Sequence, residues 1–535
     1  MKIIAVIPVC GGSVIFPNKN IRIVNGKPLI YYVINNAKKS KYITDIIVTT
    51  NSSEIINIAK QMGVKSKLRD DKLCNINVSL DTVVFDIFKD IDITPFDYVI
   101  TMQSISPTLK SETLDKAIEE CFTKGYDTSI SVSATHRFYW EKEDKSLYPL
   151  HSDRVNRYKL KPIYVETGAF LITKSCFITE RSRIGGNVNL FELSEDESVD
   201  VYSFGDLKQV ENILCRKSTA IYVNGNSEIG LGHIYRITQL ADELFTKPDI
   251  YFDVEQTDIS VFGNTTHNLI PVKGKKELYE KLKKNQYDIF INDILSTSRE
   301  YMDDLKKCLP NARIVNFEDE GNGAIMADIV FNALYETQYL PNVRAGEKYF
   351  IASKLFLLHD PIKIKEKVKN VLISFGGADP QNYTEQLFRI ISQNKYKNIN
   401  FYVVIGKVKK NVDSILSYNQ YGNIKAMHNI DNMAEVMSMC DMAITSRGRT
   451  GYELVFLGIP TISIAQNCRE ELHTFLREEN GVKYLGFKPS EELIENTFNN
   501  YLFSTKEDRK NIQRKMLAKD LRNGRKNVMN IIMNL

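Results

Sequence analysis

Short apolar runs alternate with amphipathic segments along almost the whole chain. In the first third the apolar runs are "KIIAVIPV", "TDIIVTT", "DYVITMQ", "TSISVSA" and "GAFLIT", and helix-like segments such as "PLIYYVINNAKKS" and "SEIINIAKQMG" lie between them. Short continuous apolar runs are typical of strands that are buried on both faces. The alternation therefore predicts an α/β fold in which helices cover parallel sheets.

Two further series of strands and helices follow. The second opens at "STAIYVNG" and continues through "DIYFDV", "YDIFINDI", "ARIVNFEDE" and "ADIVFNAL"; the third runs from "VKNVLISFGG" through "NINFYVVIG" and "MAITS" to "PTISIA". We predict three regions, a Rossmann-like domain at 1–214 and two Rossmann-like lobes at 215–350 and 351–535. A pair of such lobes binds its ligand in the cleft at the carboxyl ends of the strands. The length of 535 residues also exceeds what one core supports.

The overall charge argues against a polyanionic partner. The chain has 70 basic and 66 acidic residues, a formal net charge of +4. Its basic runs, such as "KIKEKVK" and "KGKKELYEKLKK", are interrupted by acidic or apolar residues, as on solvated helix faces. No apolar stretch approaches the roughly 20 residues that a membrane-spanning helix needs. We therefore expect neither a nucleic-acid partner nor a membrane span.

The cysteines are scattered singly. None of the eight belongs to a C-x-x-C pair or to a His/Cys metal spacing, which argues against structural zinc and against a disulfide framework. Such usage fits a reducing compartment, so we expect a cytoplasmic location. The opening "MKIIAVIPVCGG" indicates a buried strand, because it lacks the cleavage region of a signal peptide.

The first strand leads into a loop with the shape of a phosphate-binding loop. In "AVIPVCGGSVIFPNKNI" an apolar strand is followed by a glycine pair and then by Pro-x-Lys-Asn, yet no cation lies between Pro8 and Asn18. Backbone N–H groups of Gly11, Gly12 and Ser13 suit contact with an anion. The loop keeps the path of a phosphate site without most of its charge.

The region 1–214 resembles the acylneuraminate cytidylyltransferases, the CMP-sialic acid synthetase group. The resemblance rests on this loop and on "NGKPLIYYVI", "ITDIIVTTNSSEIINIAKQMGV", "MQSISP", "ETGAFLIT" and "SVDVYSFGDLKQVENIL". It implies transfer of CMP from CTP to a nine-carbon sugar acid with Mg²⁺, and a homodimer formed through this domain. The implied CTP contacts are Gly11, Gly12, Ser13, Lys19, Asn20, Arg69 and Gln103, and the implied metal ligand is Asp200.

Four positions depart from that family pattern. The family has an Arg before the glycine pair and a Lys after the Ser, where this chain has Cys10 and Val14. The second Asp of the family's D-x-D is Tyr202, and the Asp of its S-T-D is Asn51. Two interpretations stay open, a transferase of reduced or altered activity and a domain that binds nucleotide feebly or only packs. We do not expect Cys10 to act as a nucleophile, because the loop offers it neither a base nor a cation.

The stretch "YVNGNSEIGLGHIYRITQLADELF" at 222–245 has the strongest chemical pattern. A strand ends at Gly225, a turn carries Gly230 and Gly232, and His233 begins an amphipathic helix. Glycines allow a ligand to approach the backbone, and a helix N-terminus favours phosphate. A histidine in this place can be a base, a donor to phosphate or a helix-start residue without a role.

Region 218–490 resembles the UDP-sugar hydrolases of pseudaminic acid synthesis, which are relatives of the MurG glycosyltransferases with GT-B architecture. The motifs are G-L-G-H-x-x-R, "FINDI", "VNFEDE", "SFGGADPQNYT" and "TSRGRTGYELVFLGIPTISIAQNCRE". The resemblance implies that His233 activates water, without a cofactor. The implied UDP contacts are Gly230, Gly232, Gly376, Gly377, Ser446, Arg449, Thr450 and Glu453, and the implied cleft and sugar-side residues are Asn292, Asp293, Glu318, Asp319, Gln466, Asn467 and Glu470.

Two of these roles have a physical basis. A carboxylate such as Glu453 suits a ribose diol, since its two oxygens can each accept one hydroxyl proton. Arg449 either contacts the β-phosphate or forms a surface salt bridge.

The family's R-x-D before the turn is replaced by Tyr222, Val223 and Asn224, which leaves sugar specificity open.

Together the resemblances predict a fusion protein of nonulosonic acid biosynthesis. Its C-terminal half would hydrolyse a UDP-linked amino-deoxy sugar, and its N-terminal domain would resemble a CMP-nonulosonate synthetase. The expected ligands are a UDP-sugar, CTP and a nonulosonic acid. The alternative is a GT-B glycosyltransferase whose N-terminal domain is an inactive binding or dimerisation module.

Overall fold

The chain folds into two compact units, Met1–Arg216 and Lys217–Leu535. The structure, a computed structural model, describes all residues except 13–15, 76, 145, 227–230, 336–339, 378, 407, 408, 410 and 411. The first unit contains one large sheet and the second contains two.

The first unit is a mixed sheet flanked by helices. Its strands are β1 (Ile3–Pro8), β2 (Ile23–Val24), β3 (Lys27–Pro28), β4 (Asp45–Thr50), β5 (Lys65–Leu68), β6 (Tyr98–Thr101), β7 (Thr128–Thr135), β8 (Trp140–Glu143), β9 (Ser146–Pro149), β10 (Ile163–Lys174) and β11 (Val188–Glu192). Its helices are α1 (Leu29–Lys39), α2 (Ser53–Gln61), α3 (Leu80–Ile87), α4 (Ser111–Thr123) and α5 (Phe204–Leu214).

The strand order in this sheet is β11-β7-β10-β6-β1-β4-β5. Strands β6, β1, β4 and β5 are parallel, as the sequence predicts, whereas β10 runs antiparallel to both β6 and β7. The apolar pattern cannot reveal strand direction, because a doubly buried strand is apolar whichever way it runs. Parallel pairing of β1 with β4 brings the loop after Pro8 beside the end of β4.

The first sheet of the second unit is fully parallel, with the order β14-β13-β12-β15-β16-β17-β18. Its strands are β12 (Thr219–Val223), β13 (Asp249–Asp253), β14 (Asn268–Val272), β15 (Ile289–Asp293), β16 (Arg313–Phe317), β17 (Ile329–Asn332) and β18 (Val343–Ala345), and its helices are α6 (Gly232–Ala241), α7 (Gly274–Leu282) and α8 (Arg299–Cys308). The order reverses between β12 and β15, the place where doubly wound sheets bind ligands.

The second sheet of this unit repeats that topology, with the parallel order β21-β20-β19-β22-β23-β24. Its strands are β19 (Asn370–Ser374), β20 (Asn400–Ile405), β21 (Ile424–His428), β22 (Met442–Ser446), β23 (Thr461–Ala465) and β24 (Val482–Phe487). Helices α9 (Tyr383–Ile391), α10 (Val412–Leu416), α11 (Met433–Ser438), α12 (Arg449–Leu457), α13 (Cys468–Glu471), α14 (Glu491–Leu502), α15 (Lys506–Leu517) and α16 (Gly524–Met533) follow its strands. Two Rossmann-like sheets in series confirm the predicted GT-B-like fold class.

The last helix returns to the first sheet of the second unit. Val528 and Ile532 of α16 lie in the same buried cluster as Ile221 and Ile291, and Arg525 donates to the carbonyl of Ala352 at 2.7 Å. The sequence pattern assigned the whole of 351–535 to the second lobe, and it carried no signal for this return.

Among the described residues, no helix is both long enough and apolar enough to cross a bilayer.

Candidate functional site

Helix α6 places His233 at the ligand edge of the first sheet in the second unit. Ile234, Ile237 and Leu240 bury the apolar stripe of the helix against β12 and β15, which turns the start of the helix toward the second sheet. A Cβ on Gly232 would lie 2.9 Å from Cδ of Arg449. Glycine at 232 therefore lets the two lobes approach each other beside His233.

His233 is held by an aspartate and an arginine. Its Nδ1 is hydrogen-bonded to Oδ1 of Asp293, the last residue of β15. Arg236, one helical turn later, donates to the same carboxylate from Nε and from Nη2, each at 2.7 Å. His233 is 7% exposed, Asp293 is 0% exposed and Arg236 is 3% exposed. A bidentate guanidinium fixes the orientation of a carboxylate, and the imidazole is fixed with it.

Glu318 is the second anion on Arg236. Arg236 Nη1 donates to its Oε1 at 3.0 Å, and the backbone N–H groups of Ala333 and Leu334 donate to its carboxylate at 3.3 and 3.2 Å. Glu318 has φ +51°, a left-handed conformation that is uncommon for a residue with a side chain. Its buried carboxylate, 2% exposed, thus ties the turn after β16 to α6 and to the end of β17.

Burial and pairing decide the charges in this network. Burial lowers the pKa of His233 and outweighs the opposing attraction of Asp293. Burial alone would raise the pKa of Asp293, but Arg236 and His233 bring that pKa below its ordinary value. Because Asp293 is therefore an ionised acceptor, the proton between the two residues belongs to Nδ1 of His233. The ring is then a neutral imidazole whose Nε2 carries a lone pair, the form of a general base.

The turn after β19 packs closely against the ends of the neighbouring strands β20 and β22. Gly376 has φ +72° and lies beside Ser446, which ends β22 and is 3% exposed. A Cβ on Gly406 would lie 2.2 Å from the carbonyl oxygen of Gly376 and 2.4 Å from Cα of Gly377. The turn therefore passes over Gly406 at a distance that excludes any side chain, a constraint that the sequence analysis missed.

Helix α12 presents Arg449 and Glu453 beside the first lobe. Arg449 donates to the carbonyl of Ile351 at 2.6 Å and lies over the Phe350 ring. Burial, followed by the charge of Arg236, lowers the pKa of Arg449 to about 10. Burial also raises the pKa of Glu453 to about 7, although Arg449 opposes this shift. Arg449 is thus no surface salt bridge, and Thr450 follows it in the first helical turn.

Gln466 and Glu470 line the loops after β22 and β23. Glu470 accepts from the backbone N–H groups of Gln466 and Arg447 at 2.9 and 3.2 Å, and burial raises its pKa to about 7. Gln466 donates to the Phe375 carbonyl at 2.6 Å, which ties this loop to the turn at Gly376. Asn467 is the N-cap of α13 and accepts from the Glu470 N–H.

Two predicted cleft residues form hydrogen bonds inside the first sheet of the second unit. Asn292 is 1% exposed; its amide donates to Asn316 at 2.9 Å and accepts from the Tyr301 hydroxyl at 2.6 Å. Asp319 is 0% exposed and accepts from both the backbone and the hydroxyl of Thr297. Both side chains therefore stabilise the sheet. Because side chains alternate along a strand, Asn292 lies on the face opposite to Asp293.

Two asparagines hold the loop after β1 in the first unit. Asn51 accepts from the Gly11 N–H at 2.9 Å. Asn20 donates to the Cys10 carbonyl at 2.8 Å and accepts from the Ser104 hydroxyl at 2.7 Å. A Cβ on Gly11 would lie 2.6 Å from Cβ of Ser52, whereas one on Gly12 would meet nothing within 4 Å. The backbone is thus packed too tightly for a side chain at Gly11, whereas there is space for one at Gly12.

Lys19 and Asp200 lie together at the end of the domain. The Lys19 ammonium donates to the Val201 carbonyl at 3.1 Å, and burial lowers its pKa against the attraction of Asp200. Asp200 accepts from the Ser106 hydroxyl and from the Gly168 N–H, and burial raises its pKa. Tyr202, at the family's second Asp position, is 63% exposed.

This arrangement does not fit Mg²⁺. The ion takes near-octahedral oxygen ligands, often one or two carboxylates with substrate phosphates. Asp200 supplies one carboxylate, both of whose oxygens already accept protein hydrogen bonds, beside a lysine ammonium. Among the residues described, no group of three or more His, Cys, Asp or Glu side chains is placed to hold a metal.

Arg69 supplies the cation that the loop sequence lacks. It is 4% exposed, and its Nη2 donates to the Val9 carbonyl at 3.1 Å and to Sγ of Cys10 at 2.9 Å. The loop itself offers Cys10 no cation, as its sequence indicates, but a cationic partner reaches Cys10 from the end of β5. Burial nevertheless raises the pKa of Cys10 against the effect of Arg69.

The remaining predicted residues are placed as follows. Gln103 begins the turn after β6, where its N–H donates to the Gly168 carbonyl at 2.9 Å. Ser13, Val14 and Gly230 lie outside the described residues.

Sequence reasoning passed over two charged residues in the second unit. Arg236 lies in the quoted G-L-G-H-x-x-R motif, and its spacing of three from His233 puts both on one helix face, so the signal was present. Arg447 stacks on Tyr484, with its guanidinium 3.6 Å from the ring centroid, and it is 8% exposed. Nothing local in "TSRGRTG" distinguishes Arg447 from Arg449, because the partner strand β24 is distant in sequence.

The comparisons with known proteins cover both units. Residues 4–180 match the model of the cytidylyltransferase family. The chain is 31% identical over 273 residues to an uncharacterized protein of Methanocaldococcus jannaschii, a match that covers 46% of this chain and 55% of the relative. This chain thus spans about half of that relative's length.

Two further relatives have descriptive names. A CMP-N,N'-diacetyllegionaminic acid synthase of Legionella pneumophila is 37% identical over 123 residues, which cover 22% of this chain and 53% of the relative. A Helicobacter pylori protein named pseudaminic acid cytidylyltransferase and UDP-2,4-diacetamido-2,4,6-trideoxy-beta-L-altropyranose hydrolase is 23% identical over 486 residues, which cover 86% of this chain and 88% of the relative. The resemblances seen in the sequence are thus confirmed: residues 4–180 match the model of the cytidylyltransferase family, and 86% of the chain is similar to a protein named as both a cytidylyltransferase and a UDP-sugar hydrolase.

Proposed function

We propose that the second unit hydrolyses a UDP-linked amino-deoxy sugar to the free sugar and UDP, in the synthesis of a nonulosonic acid. The observation that carries this proposal is the buried hydrogen bond between His233 Nδ1 and Asp293. It fixes the tautomer of a neutral imidazole at the switch point of a Rossmann-like sheet, where ligands bind. The similarity to the Helicobacter pylori fusion protein supports the choice of substrate class.

In the proposed mechanism His233 acts as general base. Nε2 takes a proton from water while the oxygen of that water attacks the anomeric carbon, and the bond from this carbon to the UDP oxygen breaks. Asp293 stabilises the imidazolium that forms, as the aspartate of a catalytic triad does. Arg236 keeps Asp293 in place during this step, since it holds both carboxylate oxygens.

The second sheet supplies the proposed nucleotide contacts. The N-terminus of α12 and the turn at Gly376 present backbone N–H groups to a diphosphate, and the half-buried Arg449 adds a positive charge beside them. Glu453, one turn further along α12, suits the ribose hydroxyls. Gln466 and Asn467 are the proposed sugar-side residues.

The R-x-D departure has a structural counterpart. Asn224 is 3% exposed, accepts from the Asp253 N–H at 2.9 Å and donates to the Tyr222 hydroxyl at 3.2 Å. A residue engaged in this way orders the ends of β12 and β13. We propose that the sugar accepted here differs from that of hydrolases with an aspartate at this position.

Product analysis tests the proposal for the second unit. The full chain is incubated with UDP-linked 2,4-diacetamido-trideoxyhexoses, with and without candidate sugar acceptors, and the products are separated by chromatography. We expect UDP and free sugar at a rate that no acceptor changes. Turnover only with an acceptor would instead establish a glycosyltransferase, and the absence of UDP under both conditions would contradict both functions.

We propose that the first unit binds a cytidine nucleotide and transfers CMP to a nonulosonic acid with reduced or altered activity. The family match over 4–180 supports the class, and Cys10, Val14 and Tyr202 in place of the charged residues of the similar family support the reduction. The donor set around Asp200 does not fit Mg²⁺. Calorimetry with CTP, with and without Mg²⁺, and assay of CMP-nonulosonate formation test it; no heat with CTP in either buffer would leave a packing module.

We further propose a homodimer formed through the first unit. The β8–β9 hairpin exposes Trp140 by 52%, Leu147 by 62% and Tyr148 by 50%, an apolar surface of the kind that mediates association. The expected result is a dimer mass by light scattering. A Trp140→Glu, Tyr148→Glu variant should become monomeric, and a monomeric wild type would contradict the proposal.

A further inference from the structure

We propose that Cys10 and Cys74 form a reversible disulfide, so that the loop after β1 carries a thiol–disulfide site whose co-substrate is a low-molecular-weight disulfide. The proposal concerns the first unit and does not depend on hydrolysis by the second. It starts from the substitution of a cysteine at the position where the similar cytidylyltransferases carry an arginine.

One edge of the Arg69 guanidinium holds both sulfurs. Nη2 donates to Cys10 Sγ at 2.9 Å, and the neighbouring Nε donates to Cys74 Sγ at 3.1 Å. These two N–H groups form the fork that usually binds two oxygens of one carboxylate or phosphate. Two sulfur atoms on adjacent donors of a rigid planar group must lie side by side, and the nearby Cys74 contributes to raising the pKa of Cys10.

The environment permits oxidation. Both cysteines are partly exposed rather than buried, so a small disulfide can reach them. A guanidinium favours the thiolate form, which is the nucleophile in thiol–disulfide exchange. Burial of Cys10 acts in the opposite direction and raises its pKa, which slows the attack without preventing it. Arg69 itself is fixed by the Val9 carbonyl, so it presents the two sulfurs in a constant geometry.

The reaction balances with glutathione disulfide as oxidant. One cysteine loses its proton to solvent, and its thiolate attacks a sulfur of glutathione disulfide, forming a mixed disulfide and releasing one glutathione thiolate. The second cysteine, deprotonated in turn, attacks the protein sulfur of that mixed disulfide and releases the second glutathione. Two protein thiols are oxidised, and one glutathione disulfide is reduced to two glutathione molecules.

The bond would join the loop after β1 to the short turn at Asp71–Leu73. Gly12, which has open space around it, would then follow two anchored residues, Cys10 in the disulfide and Gly11 on Asn51. In the reducing compartment that the scattered cysteines predict, such a bond would form only when the glutathione pool is oxidised.

Mass spectrometry of the full chain tests the proposal. The protein is equilibrated in glutathione redox buffers, quenched with acid, alkylated and digested. We expect an intramolecular Cys10–Cys74 cross-link that forms at least about ten times faster than adducts at the exposed Cys176 and Cys468 and that reduced glutathione reverses. Glutathione adducts on Cys10 or Cys74 without a cross-link would overturn the proposal, and so would two unmodified thiols while Cys176 and Cys468 react.

Three single variants sharpen the result. Cys10→Ser should trap glutathione on Cys74, and Cys74→Ser should trap it on Cys10, because neither variant keeps the resolving thiol. Arg69→Lys should slow cross-linking about tenfold, since an ammonium cannot hold two sulfurs in parallel. Equal cross-linking rates for Arg69→Lys and wild type would remove Arg69 from the mechanism, and a free thiol in place of both trapped adducts would refute the exchange. Wild-type cross-linking stays decisive where a variant fails to fold.

Discussion

The two units carry candidate sites at the same kind of place, the carboxyl ends of parallel strands, but the sites differ in their charged groups. In the loop of the first unit the polar groups are satisfied by amides, hydroxyls and the guanidinium of Arg69, and the carboxylate nearest in charge to Asp200 is Asp206, which caps α5. In the second unit Asp293 and Glu318 pair with Arg236 beside one imidazole, and Arg449 adds a further charge near this group. A retained fold therefore does not imply retained chemistry.

The cost of burial explains why this difference is informative. Desolvated charges are expensive unless each has a partner, so a buried cluster of charged residues needs compensation from pairing or from ligand binding. In the first unit the loop has Cys10 and Val14 where the similar family has an arginine and a lysine, so fewer charges need compensation there. The second unit keeps the more costly arrangement, which supports an active site there.

The largest effect is expected when the imidazole of His233 is removed. His233→Ala should lower the turnover of UDP-sugar by on the order of 10⁴-fold, since general base catalysis contributes up to about that factor. UDP binding, measured by calorimetry, should change little. His428→Ala, at an exposed histidine of β21, is the matched control. Near-normal turnover of His233→Ala would place the chemistry elsewhere.

Removing the charge behind the imidazole should have the next largest effect. Asp293→Asn should lower turnover on the order of 10²-fold, because the neutral amide cannot stabilise the imidazolium and, with its oxygen on Arg236, turns an N–H toward His233. It should also reduce the free energy of unfolding by about 3 kcal/mol, since Arg236 would keep only Glu318 as an anionic partner. Denaturant unfolding and steady-state kinetics measure both effects. Asp303→Asn, at an exposed site in α8, is the control, and unchanged kinetics in Asp293→Asn would refute the dyad.

Restoring charge to the first unit tests whether the two sites can be made alike. The combined changes Cys10→Arg, Val14→Lys and Tyr202→Asp should raise CMP transfer at least about tenfold, because they return two cations and one carboxylate to the phosphate path. The assay follows CMP-nonulosonate formation from CTP, and the three single variants serve as controls. No gain in the triple variant would mean that further positions prevent the reaction.

The pH dependence of UDP binding tests a property that only the site of the second unit should have. Because burial raises the pKa of Glu453 to about 7, this side chain becomes protonated as pH falls through 7 and can then accept fewer ribose hydrogen bonds. We expect UDP to bind the second unit about tenfold more weakly at pH 6 than at pH 8. Glu453→Gln should bind weakly at both pH values. A wild-type affinity that does not change with pH would exclude Glu453 as a ribose ligand.

The smallest expected effect concerns backbone packing. Gly406→Ala would place a Cβ 2.2 Å from the Gly376 carbonyl oxygen, so the turn must shift, at a cost of about 1–3 kcal/mol in unfolding free energy. Gly422→Ala, where the new Cβ would meet nothing within 4 Å, is the control. Thermal unfolding measures both variants, and equal stabilities would show that the turn is not fixed by this contact.

Much of the fold follows from local pattern. The runs around Ile221, Ile291 and Val371 are strands because continuous apolar residues suit burial on both faces, and the topology of two Rossmann-like sheets follows from strand–helix alternation. The direction of β10 and the return of α16 were not predictable, since both depend on contacts between segments that are distant in sequence.

The candidate site was predictable only where chemistry and local spacing coincide. His233 stands out because glycines precede it in the turn, and Arg236 could have been found from the same helix face. The role of Arg69 beside Cys10 could not, because it depends on the register of β4 and β5 against β1. Asn292 and Asp293 are neighbours in sequence, yet alternation along β15 puts one inside the sheet and the other on His233.

The return of α16 also constrains how the lobes of the second unit can move. The chain crosses between them twice, and the crossings touch, since a Cβ on Gly524 would lie 2.1 Å from the carbonyl oxygen of Phe350. Because the two crossings lie side by side, we expect relative motion of the lobes to be a rotation about this point. A residue larger than glycine at 524 should push the two crossings apart.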